Sequence, residues 1–243
     1  MQTVNTHTNQ WPAFIGRKLE TGVDNQSLNI FFTQPGSEHA FVSDPGFILN
    51  SAEMQRANFY LNNTARVQYI SSRILLKYVL SYFLKIEPVE IIIQTNQLDK
   101  PVLPDYALDF NVSHTGGMCM VAVSRSGPIG IDIEKIRPLG DLETLVEKNF
   151  TPAEQHFICQ TEKQKPENFF QLWTIKEAFL KLTGLGMRLE PHKFEIAFEE
   201  NSYLVREIEK TNAHYKIIEA PVGFAAAMAK ENLETTHNQL FIY

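Results

Sequence analysis

One run constrains this chain more than any other: Phe169-Phe170-Gln171-Leu172-Trp173-Thr174-Ile175-Lys176-Glu177-Ala178-Phe179-Leu180-Lys181-Leu182-Thr183-Gly184. It reads as a helix of about four turns that stops at a glycine. Its apolar positions are too many for one amphipathic stripe, so much of the helix must be buried. Three charges, Lys176, Glu177 and Lys181, nevertheless sit inside it. Glu177 and Lys181 are four apart and share a face. A charge in a mostly buried helix needs a partner, a metal or water. The commonplace solution is a surface Glu–Lys pair, so the rest of the chain must decide.

The chain has 243 residues, 44% of them hydrophobic, which is enough for a real core in one large domain or two small ones. Charged residues make up 21% and are mixed in sign, unlike a disordered chain. A formal net charge of −6 argues against a general nucleic-acid binder. An anionic substrate would have to meet a local cluster of Lys and Arg. Cys119 and Cys159 stand far apart in no metal-like spacing, which fits a reducing compartment. Neither a signal peptide nor a membrane span is legible, so a soluble, cytoplasmic protein is expected.

Residues 1–27 read as an irregular lead-in, and Leu28–Phe32 as a short strand. Gln34–Ser37 is a turn, after which Ala40–Val42 continues the sheet. Asn50-Ser51-Ala52-Glu53 offers a helix start, and Ala65–Leu84 is the longest helical stretch of the first half. Val89–Ile93, Leu108–Val112, Met118–Ser124 and Gly130–Glu134 read as strands, with a tight turn at Ser113–Gly117. Leu142–Asn149 is helical, and Thr151-Pro152-Ala153-Glu154 starts another helix with a cap, a first-position proline and a capping-box glutamate. Gln160–Asn168 reads as a solvated loop. Phe194–Phe198, Val205–Glu209, Tyr215–Ile218 and Phe224–Ala229 are the remaining strands.

This order contains a repeat. A helix start at Ser51 is followed by the helix through Ser71–Lys77, then Val89–Ile93 and Met118–Ser124. A helix start at Thr151 is followed by the helix through Thr174–Lys181, then Phe194–Phe198 and Phe224–Ala229. The offset stays near about 100 residues. The expectation is an α+β fold, a pseudo-dimer of two similar halves spanning 28–130 and 131–243, joined near 125–140. A cleft between them is the natural place for a ligand.

Asp132 and Glu134 are two apart on a strand, so both carboxylates share one face while Ile131 and Ile133 share the other. They repel unless solvated, protonated or bridged by a cation, and oxygen-only ligands suit Mg²⁺ or Mn²⁺. A solvated strand face accounts for an isolated D-x-E equally well. Ser113-His114-Thr115-Gly116-Gly117 can bring hydroxyl and imidazole donors to phosphate oxygens, or can be a simple polar turn. Neighbouring Ser113 and His114 point apart, and no nucleophile elbow surrounds Ser113, so their adjacency is no evidence for a hydrolase triad. Lys100-Pro101 lies in a rigid loop, either against a nucleotide or solvated. Arg66, Arg73 and Lys77 line one side of the first-half helix, as a wet face would. No P-loop, Rossmann fingerprint, zinc spacing or EF-hand is present.

Four motifs in order, Phe110-Asn111-Val112-Ser113-His114-Thr115-Gly116, Ile129-Gly130-Ile131-Asp132-Ile133-Glu134, Phe150-Thr151-Pro152-Ala153-Glu154 and Trp173–Lys181, give a chain that resembles the Sfp-type 4′-phosphopantetheinyl transferases. Lys100-Pro101 occupies the place of a family Lys-Pro element. The resemblance implies a pseudo-dimeric fold and transfer of the phosphopantetheine arm from coenzyme A to a serine of a carrier protein, with magnesium on the pyrophosphate. It implies Asp132, Glu134 and Glu177 as metal carboxylates, with Glu177 also taking the serine proton. Lys181 is implied at the leaving phosphate of adenosine 3′,5′-bisphosphate. Lys100, Pro101, Ser113 and His114 are implied at the nucleotide end of coenzyme A. Lys176 is implied either beside the pyrophosphate or as a support of its own helix. By the same analogy the protein is a monomer, and the carrier belongs to fatty-acid, polyketide or nonribosomal-peptide synthesis.

The first half departs from the family pattern. Glu53-Met54-Gln55-Arg56-Ala57 holds one basic residue where members often carry more, and Gln68 stands at a usually basic position. A binding module without catalysis is the competing reading, and a metal-dependent phosphodiesterase a third.

Overall fold

The computed structural model describes residues 28–33, 44–199, 202–206, 213–231 and 237–242. The lead-in at 1–27, the turn at Gln34–Ser37, the strand at Ala40–Val42 and the end of the stretch 205–209 lie outside them.

Strand β1 (Leu28–Thr33) precedes helices α1 (Ser51–Asn58) and α2 (Asn63–Leu84). A short ladder of β2 (Gln94–Thr95) and β3 (Pro101–Val102) leads to β4 (Asp109–Thr115), β5 (Met118–Ser124) and β6 (Ile129–Lys135). Helices α3 (Leu142–Asn149), α4 (Pro152–Ile158) and α5 (Lys165–Thr183) follow. The chain ends in β7 (Glu195–Glu199), β8 (Ser202–Arg206), β9 (His214–Ile217), β10 (Phe224–Lys230) and β11 (His237–Ile242). One sheet has the order β11-β1-β5-β4 and the other β6-β10-β9-β8-β7.

Strand alternation turns these sheets into the middle of a four-layer stack. One face of the first sheet (Phe31, Cys119, Val121, Val123) packs on Leu75, Leu76, Val79, Leu80 and Phe83 of α2. Its other face (Ile30, Phe32, Met118, Met120, Ala122) packs on Ile129, Ile131 and Ile133 of β6 and Met228 of β10. The outer face of the second sheet, through Ala227 and Ala229, meets Leu172, Ile175, Phe179 and Leu182 of α5. Because α5 also packs on Phe150 and Phe194, its apolar residues, Phe169 among them, bury almost all round.

The halves share topology. In the first, β1 pairs antiparallel with β5, which pairs with β4. In the second, β6 pairs antiparallel with β10, which pairs with β9. Each half starts its shorter helix with a capping box, Asn50 with Glu53 and Thr151 with Glu154.

Several expectations need correction. Val89–Ile93 is not a strand: Pro88–Glu90 forms a 3-10 turn, and only Gln94 and Thr95 find a ladder partner. Ser113–Thr115 belongs to β4, because Thr115 pairs with Met118 and leaves only Gly116-Gly117 as the hairpin loop. Gly117 takes φ 102°, which a side chain resists. Helix α5 begins at Lys165, four residues before the expected start, with Pro166 in its first turn.

Gly130 decides how close α5 lies to β6. A Cβ there would stand 1.9 Å from the Ala178 carbonyl oxygen and 2.4 Å from the Leu182 amide nitrogen. These are backbone atoms of a packed helix, so they cannot yield locally. Gly130→Ala is therefore expected to cost about 3 kcal/mol or more, the upper end for overpacking. Urea unfolding checks this, and an unchanged midpoint would mean that α5 is free to lift.

Candidate active site

The two sheets meet edge to edge at β4 and β6, which do not pair as strands. Three alternate side chains of β4 instead reach amides of β6. Asn111 Oδ1 accepts from the Ile131 N–H at 3.2 Å, Ser113 Oγ from Ile133 at 3.3 Å, and Thr115 Oγ1 from Lys135 at 3.5 Å. Three polar residues at strand period thus stand in for backbone carbonyls along an otherwise unpaired edge.

Two rungs do more. Ser113 Oγ donates to Asp132 Oδ1 at 2.7 Å, and Thr115 Oγ1 donates to Glu134 Oε2 at 3.0 Å. Each hydroxyl receives from a β6 amide and passes its own proton to the carboxylate one residue earlier. The orientation of both strand carboxylates is therefore set from the opposite half.

From α5, Lys181 Nζ reaches Asp132 Oδ1 at 2.7 Å and Ser113 Oγ at 2.9 Å. Its ion pair is with Asp132 across the cleft, where the helix periodicity alone offered Glu177. Asp132 Oδ2 is buried and has no hydrogen-bond partner. Glu177, one turn before Lys181, is half-buried, and its carboxyl is held above the usual carboxylate range. Burial is the main cause; Asp132 and Glu134 add repulsion, and Lys181 opposes. Arg137 Nη1 lies 3.5 Å from Glu134 Oε2, with its guanidinium over the Phe170 ring.

These groups share a cleft of about 410 Å³ lined by Val112, Ser113, His114, Asp132, Glu134, Trp173, Glu177 and Lys181. The first three come from one half and the rest from the other. Trp173 was not anticipated as a wall residue; it stacks on Phe169 at 6.0 Å, which makes a rigid aromatic side. The arrangement combines three carboxylates, one ammonium and an exposed imidazole, suited to a polyanion brought in with a cation.

Two lysines expected at the ligand stand elsewhere. Lys176 is 0% exposed, and its Nζ meets Glu154 Oε2 at 2.9 Å and the Pro191 and Phe194 carbonyls at 2.8 and 2.7 Å. Of the two roles open to it, geometry gives the support of its own helix. One position from Glu177, a helical side chain points to a different face. Three acceptors around one nitrogen require an ammonium, although burial pushes its pKa down against the pull of Glu154 and Glu195. Lys100 Nζ lies 3.1 Å from the Leu182 carbonyl oxygen and 3.5 Å from that of Ile129, outside the cleft lining, with Pro101 behind it in β3. Burial lowers its pKa too, with Asp109 opposing.

The first half carries the counterpart of the Lys176 pair. Lys77, also 0% exposed, meets Glu53 Oε2 at 2.8 Å and the Ile48 carbonyl oxygen at 3.1 Å, and Arg73 meets Glu53 Oε1 at 2.9 Å. The wet face expected for Arg73 and Lys77 is thus a buried cluster. Both halves tie a capping-box glutamate to a buried lysine in the next helix, which makes Lys77 the equivalent of Lys176. Tyr78 then matches Glu177. The signal was legible: a helix-start glutamate followed by a mid-helix lysine, twice.

Comparison with known proteins agrees with this architecture. A model of the 4′-phosphopantetheinyl transferase superfamily matches residues 128–229. A model of the N-terminal part of 4′-phosphopantetheinyl transferases matches residues 38–126. Among curated relatives, the 4′-phosphopantetheinyl transferase HetI of Nostoc sp. is 35% identical over 63% of this chain and 66% of its own. The 4′-phosphopantetheinyl transferase Sfp of Bacillus subtilis is 27% identical over 82% of this chain and 89% of its own. A holo-(acyl-carrier-protein) synthase from Bacillus anthracis, solved with CoA (3′,5′-ADP), is 20% identical over 42% of this chain and 92% of its own, with a TM-score of 0.38. The two model matches lie end to end and take one half each. This chain belongs to the 4′-phosphopantetheinyl transferase family, of the Sfp type. The matched stretches span 66% and 61% of the first two curated relatives.

Proposed function

We propose that this protein transfers the 4′-phosphopantetheine arm of coenzyme A to a serine of an acyl or peptidyl carrier protein. The observation that carries the reading is the convergence of Asp132, Glu134, Glu177 and Lys181 on one cleft between the halves. Family membership supplies the reaction class.

A divalent cation fits the donor set. All three carboxylates line the same cleft, and the buried Asp132 Oδ2 lacks a protein partner. Among the described residues no three acidic, histidine or cysteine side chains are already gathered as a formed cage. Asp132, Glu134 and Glu177 would hold the cation, Mg²⁺ or Mn²⁺. Bound there, it would supply charge neutralisation on the pyrophosphate.

The remaining chemistry belongs to the chain itself. Glu177, its carboxyl raised by burial, accepts the proton of the carrier serine, directly or through water. The serine oxygen attacks the pantetheine-side phosphorus, and the bond to the bridging oxygen breaks. Lys181 neutralises or protonates the departing adenosine 3′,5′-bisphosphate. Ser113 and His114 lie on the wall where the nucleotide end would rest. We divide the chain at 28–130 and 131–243, each half giving one wall, so a monomer holds a whole site. We place the protein in the cytoplasm: both cysteines are free thiols, and no described helix is long and apolar enough to cross a membrane.

The test is mass spectrometry of a panel of apo carrier proteins incubated with protein, coenzyme A and Mg²⁺. The expected result is a gain of roughly 340 Da on one carrier, the phosphopantetheine group without its nucleotide. No gain on any carrier overturns the reading in favour of a binding module; coenzyme A breakdown without an acceptor favours a phosphodiesterase.

A further inference from the structure

The motif position of Lys100 points to the nucleotide, yet its ammonium is engaged elsewhere. Nζ bonds the carbonyl of Leu182, the residue after Lys181, and lies at the limit of a bond to that of Ile129, the first residue of β6. One carbonyl lies near the end of α5 and the other opens β6, the strand on which α5 packs. Lys100 itself comes from the loop between β2 and β3, in the first half. That loop is built to hold the residue. Asn96 Oδ1 accepts from the Leu98 and Lys100 amides at 2.9 and 3.0 Å, and the Asn96 amide donates to the Lys100 carbonyl at 2.9 Å. Asp99 adopts a left-handed φ of 63° just before it. The lysine stem runs beside Gly184, which ends α5 in a left-handed turn, φ 74°.

We infer that Lys100 is a positioning residue, tying the end of α5 to the start of β6 and so setting Lys181 against Asp132. A cation on the last carbonyls of a helix is favourable in its own right. Here it also joins the two elements that carry the whole charged set. Helix α5 supplies Glu177 and Lys181, and β6 supplies Asp132 and Glu134. Gly130 keeps their backbones in contact, and Lys100 closes the end where the helix would otherwise fray. The side chain that the motif suggests for substrate recognition instead fixes the geometry of the reacting groups.

This inference rests on the transferase reading. The test uses the full chain with Lys100→Met and Lys100→Arg, measuring coenzyme A binding by calorimetry without carrier, and kcat and KM for carrier loading. Lys100→Met is expected to leave coenzyme A affinity within about twofold and to lower kcat by about tenfold to a hundredfold, the scale of a displacement near 1 Å. Lys100→Arg, which donates to the same carbonyls, is expected to recover most of the rate. A tenfold or larger loss of coenzyme A affinity with kcat retained would make Lys100 a ligand contact and overturn the inference. So would unchanged kinetics in Lys100→Met, or an arginine variant no better than methionine. If Lys100→Met does not fold by circular dichroism, Lys100→Gln, which keeps an N–H donor, replaces it in the same comparison. Wild-type protein that loads no carrier overturns the transferase reading itself; active wild type beside an unaffected Lys100→Met overturns only the inference.

Discussion

Glu177→Gln is expected to lose carrier loading by about a hundredfold to ten-thousandfold, the range for removing a general base. The fold should stay intact. The residue is half-buried and shares the cleft with Asp132 and Glu134, so neutralising it removes both its burial cost as a carboxylate and their repulsion of it. The melting temperature should hold or rise slightly. Coenzyme A binding should weaken far less than the rate, because Lys181, Ser113 and His114 remain in the cleft. Steady-state kinetics with calorimetric melting checks both halves of the expectation. Loading at the wild-type rate would remove Glu177 from the chemistry.

Its neighbour should behave in the opposite way. Lys176→Met takes the ammonium from a pocket where Glu154 and two carbonyls all accept from it. Removing one partner of a buried ion pair costs about 3–5 kcal/mol, since the remaining charge stays out of water. Glu154 retains the Thr151 and Ile196 amides at 2.8 Å each, which softens the loss without cancelling it. Urea unfolding should show a clearly lower midpoint with an unchanged slope. Coenzyme A affinity of the folded fraction should stay near that of the wild type. A stable Lys176→Met that binds coenzyme A poorly would return the lysine to the ligand. Adjacent positions on one helix thus separate, one acting on rate and the other on stability.

That separation marks where sequence reading succeeds and where it stops. Strand period placed Asp132 and Glu134 on one face and Ile131 and Ile133 on the other, and the structure keeps both sets. The glycine stop at Gly184 and the capping box at Thr151 are also as read, because each is a local device set by a few neighbouring residues. The failures are non-local. Nothing within Val89–Ile93 reveals that, among the described residues, only the Gln94-Thr95 step beyond it finds a partner strand. Nothing within α5 alone says that Lys176 faces Glu154 and Lys181 faces Asp132, since both answers depend on how tightly Gly130 lets the helix approach. The polar rungs Asn111, Ser113 and Thr115 alternate visibly, yet Ser113 and Thr115 read as a donor turn beyond the end of the strand. Their true partner is a strand edge about twenty residues away, in the other sheet.

The last strand has a consequence for autonomy. β11 leaves the second half and lies parallel to β1, residue against residue from Leu28–His237 to Thr33–Ile242. The outer border of the first sheet is therefore made by the chain's far end. A fragment cut at the junction between the halves would leave one piece with a bare β1 edge and the other with a strand that has no sheet to join. The duplicated plan looks like two modules, but exchanging the second half for a relative's would also exchange the strand that closes the first sheet.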